Sequence, residues 1–242
     1  MIGYRITGRN HYLTKRCAPN FFLSGICPTF QGRLDAWRPL SLAYLATQII
    51  LVTGGNSGIG YHTVKQCLLK NPIVYLAARS ADKVADAINS LETETGKKAI
   101  FIQLDLAELS SVRKGAKAFL AKESRLDVRF NNGHGSLSLV EFGTDVVGHF
   151  LLTEILPPAI TNEETGVPAR IINVSSTRHR NAPDNGMVFA SLKGGLELHP
   201  EKLYGQSNMG NICMSNYYNS RYSDVRVSCA LHPGLIRSGL QR

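Results

Sequence analysis

The feature that most constrains this chain is a glycine-rich turn. The apolar run Gln48–Thr53 leads into Thr53-Gly54-Gly55-Asn56-Ser57-Gly58-Ile59-Gly60, and a helical pattern follows over residues 58–70 as far as Asn71-Pro72. A short apolar run closed by glycines reads as a buried parallel strand. Between a strand and a helix, such glycines bring the helix N-terminus close to an anion, where free N–H groups and the helix dipole favour negative charge. Gly54 permits the tight turn, and Gly58 and Gly60 permit close approach to a pyrophosphate. The candidate contacts are Gly54, Asn56, Ser57, Gly58, Ile59 and Gly60, and the expected ligand is a dinucleotide.

Strand and helix patterns then alternate. Further strands are expected at Ile73–Ala77, Ala99–Leu104, Leu126–Phe130, Ile171–Val174 and Val225–Leu231. Ser80 is placed to cap a helix carrying Val84, Ile88 and Leu91. Val112, Ala116, Phe119 and Leu120 stripe the next helix, and two more are expected around 145–160 and 202–221. Repeated β-α-β order requires right-handed crossovers and a parallel sheet covered on both faces. The fold class is therefore α/β, a doubly wound parallel sheet (Rossmann fold), with its ligand crevice at the carboxyl ends of the strands.

The chain has 242 residues and is 43% hydrophobic, enough for one core. Its formal net charge of +9 suggests nucleic acid, but the first 38 residues carry six of the Lys and Arg residues against Asp35 alone. The basic excess belongs to the leader, so nucleic acid is not an expected partner. Residues 1–46 read as a basic, poorly ordered extension and 47–242 as the dinucleotide-binding domain. A mitochondrial role for the leader is a minor alternative to a cytoplasmic setting. The five cysteines are widely spaced without a CxxC pair, which fits a reducing compartment and predicts no metal site. No apolar run is long enough to span a membrane.

Cofactor choice turns on the end of the second strand. An acid there binds the ribose hydroxyls, whereas an Arg pairs with a 2′-phosphate. This chain reads Ala77-Ala78-Arg79-Ser80, which favours NADP(H) over NAD(H). Asp105 is placed to accept from the adenine amino group, with Leu106 beside it on the same edge; otherwise Asp105 is a loop or capping residue.

These segments, with Asn131-Asn132-Gly133, Ile172-Asn173-Val174-Ser175-Ser176, Tyr204 and His232-Pro233-Gly234, resemble the short-chain dehydrogenase/reductase family over residues 48–242. The resemblance is to its retinol-dehydrogenase-like and WW-domain-oxidoreductase-like branch, including fungal members. It implies hydride transfer between a nicotinamide and a small or lipophilic alcohol or carbonyl, and allows a homodimer. By that resemblance Ser176 polarises the substrate oxygen and Tyr204 is the acid/base. Asn131 and Asn132 line the cofactor, and Pro233 and Gly234 open a loop, reaching Ser238, over the nicotinamide amide.

The departures matter as much. A phenol titrates near about 10 and needs a nearby cation to work near neutrality. The family places a Lys four residues after the Tyr, one helical turn along. Here that position is Asn208, which costs the phenol on the order of one to three pKa units of assistance. In Phe142-Gly143-Thr144-Asp145, Asp145 stands where the family has an Asn, and an ionised Asp cannot donate. Lys193 and Lys202 lie nearby in sequence, but no spacing supports either as a substitute cation. Arg129 stands in the fourth strand where an apolar residue is expected, and a buried unpaired cation is costly. The stretch Gly133–Phe142 is shorter than the family's, and the end at Arg242 predicts loss of the last strand and C-terminal helices. These points favour an impaired enzyme. The alternatives are a cofactor-binding protein without turnover, or the product of an imperfect gene model.

Overall fold

The computed structural model describes residues 47–135, 140–156, 168–222, 226–234 and 236. The expectations for residues 1–46, for the end of the helix expected around 145–160, for Ser238 and for the chain end lie outside the described residues.

Strand β1 (Ile49–Thr53) is buried along its whole length, as an apolar run covered on both faces must be. Ile49 and Leu51 point into one apolar cluster, and Ile50 and Val52 into the other. Helix α1 (Gly58–Leu68), β2 (Ile73–Ala78), α2 (Ala81–Thr95), β3 (Ile100–Gln103), α3 (Leu109–Leu120) and β4 (Val128–Asn131) follow at nearly the expected bounds. Ser80 stands at the start of α2, but its side chain makes no capping bond. That expectation is corrected.

The helix expected around 145–160 has three parts: α4 (Val140–Phe142), a π-helical segment (Gly143–Gly148) and α5 (His149–Ile155). The π segment inserts an extra residue into the helical ladder, which a 3.6-residue pattern cannot signal. Strand β5 (Ala169–Val174), a 3₁₀ turn (Thr177–Asn181), α6 (Phe189–Leu192), α7 (Pro200–Tyr222) and β6 (Arg226–Leu231) complete the described elements.

The sheet is parallel with order β3-β2-β1-β4-β5-β6. The chain winds outward from β1 to β3, then returns to lay β4 against β1. Its direction therefore switches between β1 and β4, and a crevice opens at their carboxyl ends. On one face, Leu51, Tyr75, Ile102 and Leu104 pack with Phe119 of α3 and Leu152 of α5. On the other, Val52 and Leu76 pack with Val64 of α1 and with Val84 and Leu91 of α2. Each fully buried Leu or Val contributes about 1.5–3 kcal/mol. Below the crevice, Asp127 ties the strands together: its carboxylate accepts from Ile49 N at 2.7 Å and pairs with Arg125 at 3.2 Å.

Arg129 is buried, as feared, but it is not bare. Its Nη1 donates to Thr153 Oγ1 at 2.7 Å and its Nη2 to the His149 carbonyl at 2.8 Å. No carboxylate pairs with it among the described residues, and burial pushes the guanidinium down to about 9.

Candidate functional site

The glycine turn is built by close approach. Gly54 has φ +63°, and its N–H donates to the Ala77 carbonyl at 2.8 Å. A Cβ at Gly60 would lie 2.2 Å from the Gly54 carbonyl oxygen and 2.5 Å from Asn132 Nδ2. Gly55 is also tight, though less so, with a notional Cβ 2.8 Å from Leu76 Cγ. Gly58 is different: it has φ +54° and open space around it. Asn56 and Ile59 are half-buried and Ser57 is exposed at the start of α1, whose first turn holds no acidic residue. The residues present thus form the cradle that a pyrophosphate requires: small backbone, free amides and no competing carboxylate.

The exit of β4 locks onto this turn. Asn132 Nδ2 donates to the Thr53 carbonyl at 3.2 Å, and the amides of Asn132 and Gly133 both donate to Thr53 Oγ1 at 3.0 Å. Asn131 faces the other way, its Nδ2 donating to Asn173 Oδ1 at 2.6 Å on β5. Leu106 is buried against Gly133, where a Cβ would lie 2.6 Å from its Cδ1. Asp105 Oδ1 accepts from Ala107 N at 2.9 Å, so one of its oxygens serves the local turn. Arg79 is exposed and makes no ion pair among the described residues.

His149 links this corner to the π segment. Its Nδ1 lies 2.8 Å from the Asp145 carbonyl oxygen, which can only accept, so Nδ1 carries the proton. Burial, then the charge of Arg129, push the imidazole down to about 3. It is therefore neutral, and Nε2 accepts from the Thr53 hydroxyl at 2.8 Å. Thr53 has one hydroxyl proton and also lies 3.2 Å from the Phe130 carbonyl. The shorter contact, and the need of Nε2 for a donor, assign that proton to His149.

Asp145 is buried. Its Oδ2 meets His134 Nδ1 at 3.0 Å and its Oδ1 accepts from Gly135 N at 2.9 Å. Burial lowers the His134 pKa, yet the charge and hydrogen bond of Asp145 and the charge of Glu141 leave it above the usual histidine value. Glu141 is buried too. Burial, then repulsion by Asp145, push its carboxyl up to about 8. Sequence reasoning missed His134, Glu141 and His149, and only the i, i+4 spacing of Asp145 and His149 was available to find them.

The candidate chemical groups lie at the carboxyl end of β5 and on α7. Ser176 is half-buried at the start of the 3₁₀ turn, its Oγ accepting from Arg178 N at 3.2 Å. Helix α7 reaches this turn through Gly205, where a Cβ would fall 2.5 Å from Ala182 N. Tyr204, the preceding residue, is half-buried. The Ser175 hydroxyl donates to the Asn208 carbonyl at 3.0 Å, and Asn211 Nδ2 donates to the Val174 carbonyl at 3.0 Å. Asn208 does not extend into the crevice as a Lys would. Its Nδ2 donates to the Tyr204 carbonyl at 2.9 Å, and its Oδ1 is buried without a partner among the described residues. Pro233 is half-buried and Gly234, at φ +92°, is exposed after β6. A recess of about 350 Å³ lies beside the start of α7, lined by Arg180, Asn181, His199, Glu201 and Lys202, and includes none of these groups.

A doubly wound parallel sheet with this turn at its switch point defines a dinucleotide-binding Rossmann protein. Residues 48–216 match the family model described as short chain dehydrogenase. A short-chain dehydrogenase/reductase of Armillaria gallica is 38% identical over 218 residues, covering 85% of this chain and 71% of the relative. Human retinol dehydrogenase 11 is 30% identical over 233 residues, covering 92% and 71%. The fold matches a solved Pseudomonas aeruginosa RhlG/NADP active-site complex with a TM-score of 0.65 at 24% identity, over 82% of this chain and 77% of that one. The chain belongs to the short-chain dehydrogenase/reductase family, on its retinol-dehydrogenase-like branch with fungal relatives, and that family consists of NAD(P)-binding oxidoreductases. No described helix is long and apolar enough to cross a membrane, and no metal-ligand cluster occurs among the described residues.

Proposed function

We propose that this chain is an NADP(H)-dependent oxidoreductase acting on a small or lipophilic alcohol or carbonyl, with slowed proton chemistry. The observation that carries the reading is the cradle at Gly54 and Gly60 together with the exposed guanidinium of Arg79 at the end of β2, which makes no ion pair among the described residues. The first receives a pyrophosphate and the second a 2′-phosphate, which a planar bidentate guanidinium suits. The retinol dehydrogenase relatives support a lipophilic alcohol as substrate class.

Bound NADPH would supply the hydride; the chain supplies orientation and the proton. The turn, Asn132 and the β4 exit would hold the dinucleotide, with Asp105 and Leu106 beside the adenine and Pro233 and Gly234 over the amide end. Ser176 Oγ–H would donate to the substrate oxygen, and the Tyr204 hydroxyl would deliver the proton in reduction and take it back in oxidation. The weak point is Asn208, whose side chain is spent on its own helix and offers no charge to a developing phenolate.

That commitment of Asn208 favours a second reading, a cofactor-binding protein of the same descent without turnover. Steady-state NADPH-linked reduction of a panel of aldehydes separates the two. Turnover that falls at least a hundredfold in Tyr204→Phe, the usual scale of acid–base catalysis, supports the enzyme. Wild-type and Tyr204→Phe proteins that bind NADPH but are equally inactive support the second reading.

A further inference from the structure

We propose that His134, Asp145 and Glu141 form a proton-held clamp that positions the β4 exit for dinucleotide binding, so that cofactor affinity depends on pH through His134. The coupling to affinity rests on the dinucleotide reading above.

Asp145 grips the β4 exit twice. Its carboxylate holds the His134 side chain and the Gly135 amide, two consecutive residues of the chain leaving β4. Its carbonyl holds His149, which accepts from Thr53, which in turn receives the amides of Asn132 and Gly133. The π segment supplies this geometry from a single residue. An Asn here would lack the charge that holds a histidine cation. Asp145 and His134 are therefore a matched pair, and the replacement of the family's Asn is not simply a loss.

Glu141 is the third member. It is 2% exposed, and its Oε2 has no hydrogen-bond partner among the described residues. An ionised carboxylate there would be a second buried negative charge facing one histidine, so Glu141 holds a proton until the solution is alkaline. Among the described residues, the other titratable group near the cluster is His149, held neutral with Arg129 beyond it. From β1 comes uncharged Thr53, and α7 reaches the π segment at Gly210, against Val146 and Phe142.

The sign follows from His134. Its proton is favoured by the folded cluster, so the clamp is complete below the ordinary histidine range and loosens as pH rises through the raised value. As the competent fraction falls, apparent affinity falls with it. Ionised Glu141 attracts the His134 proton, so it shifts this loss to higher pH.

The test is an NADPH titration of the full chain from about pH 7 to about pH 9, with hydrogen exchange of the Gly135 amide, corrected for intrinsic rate, on the unliganded protein. Affinity should weaken by up to about tenfold per pH unit for one linked proton, and Gly135 protection should fall in parallel. His134→Gln should flatten both profiles, and Glu141→Gln should move both to lower pH. Flat wild-type profiles, or profiles unchanged in His134→Gln, overturn the proposal. If the chain binds no NADPH at any pH, the dinucleotide reading fails and the coupling with it. A Gly135 profile that still falls and flattens in His134→Gln then upholds the clamp alone, whereas a flat one overturns it too. Wild-type His134 titrating at or below the ordinary histidine value by NMR also overturns the clamp, even if the variants fail to fold.

Discussion

Replacing Gly60 by Ala tests the cradle most sharply. The new methyl would sit 2.2 Å from the Gly54 carbonyl oxygen and 2.5 Å from Asn132 Nδ2. Folded proteins essentially never show such contacts below 3.0 Å, so the turn must retreat by about 0.8 Å and the Asn132 amide by about 0.5 Å. Helix propensity works the other way and favours Ala by up to about 1 kcal/mol. Overpacking costs about 1–3 kcal/mol, and pulling Asn132 off the Thr53 carbonyl about 1 kcal/mol more. The net loss is about 1–3 kcal/mol, read by urea unfolding or as roughly 2–4 °C of Tm per kcal/mol. Dinucleotide binding should fall as well, because the displaced carbonyl belongs to the turn itself. Gly58→Asn is the control. Nothing lies within 4 Å of its Cβ position and Asn tolerates positive φ, so the loss should stay below about 1 kcal/mol. If Gly60→Ala proves as stable as Gly58→Asn and binds as wild type does, the steric reasoning is wrong.

Three further outcomes are expected. Arg129→Met should leave thermal stability unchanged or raise it, because it removes a buried cation while Thr153 still donates to the His149 carbonyl; a loss above about 2 kcal/mol would contradict this. Burial of neutral His149 predicts that unfolding free energy falls as pH drops below about 6.5, continuing toward about 3, and His149→Gln should flatten that limb in urea titrations at fixed pH. Asn208→Lys should raise turnover about tenfold or more at pH 7 without a matching change in NADPH affinity. No change in rate would place the limitation outside the phenol's surroundings.

Strands β1 and β2 were legible because each is an apolar run buried almost throughout, and the glycine turn because steric necessity writes itself as glycine. Helix α7 was legible only in outline. The first half of its buried face is Gly205, Gln206, Ser207, Asn208, Gly210 and Asn211, and only Met214 and Tyr218 beyond them are apolar, so the stripe that marks a helix is reduced to one turn. Its packing rests on small residues, on Met214 and Tyr218 against Ile171, and on hydrogen bonds to β5 and β6, which become visible only when the partner strands are in place. The π segment escaped because a helical pattern takes no account of an inserted residue. The His134–Asp145 pair escaped because it joins the β4 exit to that insertion, and without it Asp145 reads only as a damaged position. Asp105 had two open readings, and one of its oxygens serves the local turn.

The central claim is that the crevice binds NADP(H) through the glycine turn and Arg79. Parallel fluorescence titrations of the full chain with NADPH and NADH, repeated on Arg79→Ala, test it most directly. NADPH should bind about tenfold or more tightly than NADH, the scale of one charge-assisted contact, and Arg79→Ala should erase that difference while leaving NADH affinity unchanged. Equal affinities in the wild-type chain, or no binding of either dinucleotide, would contradict the account.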